Sequence, residues 1–419
     1  MWSNGGQRGL ERLSVLTKDI EAVNRNWLRL VGQGGLLDPV ATTQAFRVRR
    51  VFVHLVGGAS SGVIEQAARV GLPIFGLAEA DRFVADLDAI LKGENVPEAP
   101  LPEAPEARSF LADYQALAFS YLMLARDLVS RDPVLAYLML GLDQRLLPLG
   151  KCSVDQISAL AKAESTILGA RHAASLNEQL RVLGSSHIGF RQRAVICSSF
   201  LLITRNETPA GLQPVTTPTL LSDQLGVLRN ITGLVSLRCR LKPTATLTRA
   251  TRPQIKAVME SEGICPDDRG GRLPSRIASL LESTAAHVAS SFFLANYQAA
   301  RALVGDYKAE CSTDAFRAAL TMSRAVGNAT MIDPDMALMI ADRFHKGELT
   351  LRRCPTCTST HLMSTSPIAI RRDVVLQRDC PMCRELAGAK SGERPARLRG
   401  RRTRVAELVD AAEAASQAD

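Results

Sequence analysis

Apolar residues recur at three- and four-residue intervals through most of the chain, most densely in the stretch SYLMLARDLVSRDPVLAYLMLG (120–141). That period lays apolar side chains along one stripe of a helix, whereas a half-buried strand alternates every second residue. No sustained alternation occurs, so the pattern predicts a mainly α fold. Helix starts are also marked. Asp132 before Pro133, and Asp333 before Pro334, each offer a capping carboxylate followed by proline at the first helical position, where a missing N–H costs nothing. Two stretches break the helical pattern: GENVPEAPLPEAPEA (93–107) and a Pro/Thr-rich segment over 206–221 containing NETPAGLQPVTTPTL. Both read as linkers that hold neither helix nor buried strand. They delimit helical units at 10–92, 108–205 and 222–350, followed by a cysteine-bearing segment at 351–388 and a basic tail with a short acidic helical end at 389–419.

The first two units resemble each other. NRNWLRLVGQGGLLDPVATTQAFR (24–47) aligns with 118–141 at a constant offset of 94, placing Trp27 on Tyr121, Leu28 on Leu122, Leu30 on Leu124 and Asp38-Pro39 on Asp132-Pro133. After a one-residue deletion, VIEQAARVGLPIFG (63–76) aligns with QISALAKAESTILG (156–169), so that Ile74-Phe75-Gly76 meets Ile167-Leu168-Gly169. Two such units would cover each other's apolar faces, which makes the 120–141 stretch a dimerisation surface paired within one chain.

Composition adds chemistry only near the C-terminus. Of nine cysteines, Cys152, Cys197, Cys239, Cys265 and Cys311 are scattered and read as small apolar residues, while Cys354-Pro-Thr-Cys357 and Cys380-Pro-Met-Cys383 form two close pairs. Two Cys-x-x-Cys knuckles let four thiolates close a tetrahedron round zinc. Cys354, Cys357, Cys380 and Cys383 would fill every coordination position, so the expected Zn2+ is structural, one per chain. His361, inside the loop, reads as an exposed residue, with replacement of one ligand as its alternative. The net charge of +9 is carried by 352–404, where 13 Lys and Arg face four acids. Such a patch suits a polyanion, because each cation set on a phosphate releases condensed counterions. Arg371, Arg372, Arg397, Arg399, Arg401 and Arg402 are its candidate contacts. A solubilising basic tail is the plainer alternative.

Two helical segments are candidate DNA readers. TLTRATRPQIKAVMESEG (246–263) has Thr248 or Thr251 as a cap, with Arg249, Arg252, Gln254 and Lys256 near the helix start, where recognition helices make base contacts. IGFRQRAVICSSFLLITR (188–205) carries Arg191 and Arg193 near its start. An ordinary surface helix is the alternative for each. GGASSG (57–62) lacks the Gly-Lys-Ser/Thr ending of a phosphate loop and reads as a glycine-rich turn. The six histidines are dispersed, with no cysteine or carboxylate nearby in sequence that forms a catalytic arrangement, so no enzyme is expected. No run approaches the roughly 18–20 apolar residues of a membrane span, and the start lacks the apolar core of a signal peptide. No membrane association and a cytoplasmic location are expected.

SYLMLARDLVSRDP, the LMLGL turn and SVDQISALAKAESTIL resemble FlhD, a subunit of the bacterial flagellar master transcriptional activator, over roughly 106–205. From about 222 the chain resembles FlhC, the other subunit, in ITGLVSLRCRL, TLTRATRPQIKAV, HVASSFFLANYQAARAL and ALMIADRFHKGELTLRRCPTC. The resemblance implies a helical, DNA-binding activator assembled from four FlhD and two FlhC. With 10–92 as a divergent, truncated FlhD-like unit, the chain would be an FlhD–FlhD–FlhC tandem and a homodimer would rebuild the whole. Its partners would be double-stranded promoter DNA, of flagellar or mobile-element transfer genes, and RNA polymerase. FlhD often carries a dimer-bridging cysteine, and Leu168 takes its place here, so no such bridge is expected. The zinc loop is longer than the family usually shows. A zinc-ribbon RNA-binding protein, or a scaffold that binds no nucleic acid, is the alternative; aromatics that could stack on bases are absent beyond residue 345.

Overall fold

The computed structural model describes residues 5–142, 144–171, 193–195, 197–198, 224–263, 277–281, 283–304, 311–328, 331–356, 358–365, 380–381 and 383. The fold is mainly α. The first bundle runs α1 (Gly5–Leu37), α2 (Pro39–Ala45), α3 (Arg50–Gly57), α4 (Ser61–Ala68), β1 (Phe75–Leu77) and α5 (Ala80–Leu91). The second repeats that order as α6 (Pro105–Arg131), α7 (Pro133–Leu140), a 3-10 turn (Gln144–Lys151), α8 (Val154–Lys162) and β2 (Leu168–Ala170). Equivalent caps start equivalent helices. The Asp38 carboxylate accepts from the N–H of Val40 and Ala41 at 2.8 and 3.0 Å, and the Asp132 carboxylate from Leu135 N–H at 3.1 Å. Ser60, in the glycine-rich turn, caps α4 through Val63 N–H at 3.4 Å, and Ser153 caps α8 in a full capping box with Gln156.

The two bundles meet along α1 and α6 and are joined by a two-stranded antiparallel ribbon that the short apolar runs gave no sign of. Phe75 pairs with Ala170, Gly76 with Gly169 and Leu77 with Leu168, so the repeat-equivalent glycines face each other at the centre of a local two-fold. A Cβ on Gly169 would lie 2.8 Å from Ala78 Cβ, which keeps the crossing open only to glycine. Around the ribbon Trp27 stacks on Phe75 with ring centres 5.4 Å apart, Phe75 meets Tyr121 at 5.3 Å, and Trp27 Nε1 donates to the Leu168 carbonyl at 3.0 Å. All four side chains are fully buried. The 120–141 stretch therefore packs against a partner helix of the same chain.

Two features of the 93–107 segment depart from a plain linker. Helix α6 begins at Pro105, because proline at the first helical position needs no N–H partner. Upstream, Ala99 N–H donates to the Lys162 carbonyl at 2.9 Å and Glu164 N–H to the Pro97 carbonyl at 3.1 Å, tying the segment to the end of α8. The 206–221 segment lies outside the described residues.

The C-terminal half contains α9 (Gln224–Ser236), α10 (Leu241–Thr248) and α11 (Arg252–Ser261), which enclose a small core of Ile231, Val235, Ile255, Val258 and Met259. Next come α12 (Thr284–Val304), α13 (Thr313–Ala325) and α14 (Pro334–His345), the last capped by Asp333 through Met336 N–H at 2.7 Å. Helix α12 is apolar on nearly every face because α7, α13, α14 and the hairpin described below surround it. One continuous core runs from Ile20 to Leu362, so the three parts are packed together. Arg317 on α13 is buried and pairs with Asp132 between α6 and α7. Among the described residues, no helix is long and apolar enough to cross a membrane.

Candidate metal centre and nucleic-acid surface

Strands β3 (Leu349–Arg353) and β4 (Thr360–Ser364) form an antiparallel hairpin with Arg353 opposite Thr360, beginning two residues ahead of the expected 351 boundary. Its tip is a tight turn: Thr358 N–H donates to the Cys354 carbonyl at 3.0 Å and Cys354 N–H to the Ser359 carbonyl at 2.9 Å, with Thr358 at φ 59°, in the left-handed region. The turn aims the Cys354 sulfur at Cys380 and Cys383. The three sulfurs lie within 4.8 Å of one another, and Cys354 and Cys383 are 3.6 Å apart. Thiolates on a tetrahedral zinc, with Zn–S of about 2.3 Å, sit roughly 3.8 Å apart, so the donor set has the spacing and the softness for that ion. The three cysteines could hold a metal ion. Cys357, the fourth expected ligand, lies outside the described residues.

The hairpin stands on α12. Ser291 Oγ donates to the His287 carbonyl at 2.6 Å and accepts from Leu362 N–H at 2.9 Å, while His287 Nε2 donates to the Leu362 carbonyl at 2.7 Å. Sequence reasoning did not single out His287 or Ser291, which act across more than 70 residues and carry no local spacing signal. It also misplaced His361. That residue is 3% exposed, on β4, with its ring 6.1 Å from that of His287, because the hairpin lies against α12. Burial lowers its pKa below the usual imidazole range. Among the scattered cysteines, burial pushes the thiols of Cys197 and Cys239 up to about 12, as expected of small apolar residues, and that of Cys152 upward as well. Cys265 lies outside the described residues.

Of the candidate nucleic-acid residues, Arg249, Arg252, Gln254 and Lys256 are exposed round the start of α11. Thr251 is the N-cap and Pro253 sits in the first turn. Gln254 Oε1 accepts from Thr251 N–H and from Thr251 Oγ1, each at 2.9 Å, so its carbonyl end is used within the helix cap. Arg193 is engaged differently. Its guanidinium donates to the Gln66 carbonyl at 2.5 Å and to Gln66 Oε1 at 3.0 Å, pinning the segment after the second bundle to α4 of the first. Arg191, Arg371, Arg372, Arg397, Arg399, Arg401 and Arg402 lie outside the described residues.

Residues 105–223 match the family model of FlhD, the flagellar transcriptional activator. The match begins at the first residue of α6 and covers the second bundle with the segment after it. No curated protein and no solved structure matches the chain. The segment that matches FlhD thus lies between a bundle of the same element order and a helical C-terminal half that carries the cysteines.

Proposed function

We propose that the chain is a DNA-binding transcriptional activator of the FlhD–FlhC type, built as an FlhD–FlhD–FlhC tandem and acting in the cytoplasm with RNA polymerase at flagellar or mobile-element transfer promoters. The observation that carries this reading is the FlhD match at 105–223, in a bundle that pairs through a local two-fold with a bundle of the same order. Fusion replaces a bimolecular encounter by an intramolecular one at high effective concentration, so the short 93–107 connection suffices. A homodimer would double the arrangement and would prefer two symmetric half-sites. Structural zinc on Cys354, Cys357, Cys380 and Cys383 would fix the basic segment that follows; bound there, it supplies cross-linking and no reaction. The exposed start of α11, with Arg249, Arg252 and Lys256, and the basic segment with Arg371, Arg372, Arg397, Arg399, Arg401 and Arg402, would supply the phosphate and base contacts.

The test is recovery of genomic DNA bound to the tagged protein, repeated with Cys354→Ser and Cys380→Ser combined. Discrete promoter peaks sharing an inverted repeat, lost in the double variant, support the reading. Diffuse or absent DNA signal alongside abundant bound RNA overturns it.

A further inference from the structure

Three side chains that are dispersed in sequence meet at the end of α12. The buried Tyr297 hydroxyl lies 3.2 Å from Cys311 Sγ and 2.7 Å from His345 Nε2, and it accepts from Ser312 N–H at 3.2 Å. Tyr297 comes from α12, Cys311 from the approach to α13 and His345 from the last turn of α14. A phenol has one proton to give, so two arrangements satisfy the row. Either the Cys311 thiol donates to Tyr297 and the phenol donates to His345, or protonated His345 donates to Tyr297 and the phenol donates to a Cys311 thiolate. The two differ by a shift of two protons along the row, which moves one net proton from sulfur to imidazole.

The surroundings favour the second arrangement. Cys311 directly precedes Ser312, the N-cap of α13, which puts its sulfur at the positive end of a 13-residue helix. The Arg301 guanidinium lies 5.9 Å from the centres of the Tyr297 and Phe344 rings. Among the described residues of the packed helices, Asp314 on α13 pairs with Arg229 and Arg317 while Arg324 donates to the Leu237 carbonyl. On α14 Asp333 caps the helix, Asp335 pairs with Arg240, Asp342 with Lys346 and Arg343 with Glu348. Burial first, and then the neighbouring Cys311, raise the Tyr297 pKa, so the phenol keeps its proton in either arrangement and can pass it along the row. Cys311 is half-buried, whereas Cys152, Cys197 and Cys239 are buried, so a small reagent reaches it where it does not reach them.

We propose that Cys311, Tyr297 and His345 form a nucleophilic thiol site, a point of covalent modification by small electrophiles and peroxides. With hydrogen peroxide, the thiolate sulfur bonds to one peroxide oxygen as the O–O bond breaks. The departing hydroxide takes the proton held on His345, giving water. Cys311 is oxidised to the sulfenic acid and the peroxide is reduced. With an alkyl iodide the sulfur–carbon bond forms as iodide leaves.

The test treats the metal-loaded, full-length chain with iodoacetamide between pH 5 and 9 and maps the alkylated cysteines by mass spectrometry. Cys311 is expected to react at least about tenfold faster than Cys152, Cys197 and Cys239 at pH 7, with its half-rate point well below the ordinary thiol value of about 8.5. Tyr297→Phe and His345→Gln should each slow alkylation at pH 7 about tenfold and move the half-rate point back toward that value. Dimedone added after peroxide should label Cys311. A wild-type Cys311 rate that follows the ordinary thiol curve overturns the proposal, whatever the variants do, and so does a rate unchanged in both variants.

Discussion

The Asp132 carboxylate performs two tasks at once: one oxygen caps α7 at Leu135 N–H and the other receives Arg317 from α13, in a pair of which both side chains are about nine-tenths buried. Its repeat equivalent, Asp38, caps α2 and is exposed. The second bundle thus uses a turn that both bundles possess to grip the C-terminal half, and the first does not use it so. Breaking a buried pair leaves the surviving charge desolvated. Asp132→Ala should cost about 3–5 kcal/mol, and Asp38→Ala only about 1 kcal/mol, the worth of a cap. Urea unfolding of the two variants checks the difference. Arg317→Met in the Asp132→Ala background should restore part of the loss.

Trp27 binds the two bundles through its ring and its N–H together. It stacks on Phe75 and donates to Leu168, whose strand pairs with that of Phe75. Trp27→Phe keeps most of the packing and loses the hydrogen bond, at a cost of about 1–2 kcal/mol. Trp27→Ala also opens a cavity and should cost about 3–5 kcal/mol. The midpoint of thermal unfolding, followed by circular dichroism, separates the two.

Much of this architecture is legible in the sequence because its signals are local. Asp-Pro caps and the 93–94-residue offset need only short windows, and they place α2, α7 and α14 and the equivalence of Trp27 with Tyr121. The ribbon at Gly76 and Gly169 is not legible, since three-residue strands carry no measurable period. His361 reads as exposed because its burial depends on α12, an element distant in sequence whose His287 ring lies beside its own. The Asp132–Arg317 pair spans 185 residues and the Cys311–Tyr297–His345 row joins three separate elements, so neither follows from spacing. The cysteine pairs are the opposite case: their chemistry is written in two four-residue motifs, and the fold brings Cys354 to Cys380 and Cys383.

Tyr121 is fully buried, and its hydroxyl has no hydrogen-bond partner among the described residues. Desolvation pushes its phenol, and that of Tyr114, up to about 12. A phenol with a raised folded-state pKa contributes its stabilisation in full below the unfolded value of about 10 and loses it as pH rises through about 12. Stability should therefore fall between pH 10 and 12. Tyr121→Phe removes an unpaired buried hydroxyl, so at pH 7 it should be neutral or stabilising by about 1 kcal/mol, and it should make the alkaline fall shallower. Urea titrations at pH 7, 10 and 12 test both effects.

If the hairpin cysteines hold zinc, stripping the metal should loosen the segment from β3 onward while the helical core survives, since that core closes without them. Chelation at neutral pH should release one zinc per chain and leave helical circular dichroism nearly intact. Protease cleavage between 354 and 383 should accelerate. Cys383→Ser should weaken metal binding and reproduce that cleavage, and acid should release the metal as thiolates take up protons.

Arg252 and Lys256 are exposed on α11, whereas Arg193 is committed to Gln66, and the two situations predict different consequences of the same truncation. A cation that contacts phosphate contributes about one released counterion, so its loss weakens binding to all sequences and reduces the slope of log affinity against log salt by about 0.9. Arg252→Ala and Lys256→Ala should each do this in fluorescence anisotropy with promoter duplexes, with the unfolding midpoint unchanged. An Arg252→Ala that instead relaxes discrimination at one base pair, leaving the slope alone, would make it a base reader. Arg193→Ala should behave in neither way. Its guanidinium joins the segment after the second bundle to the first, so truncation should lower the unfolding midpoint and leave the salt slope of DNA binding where it was.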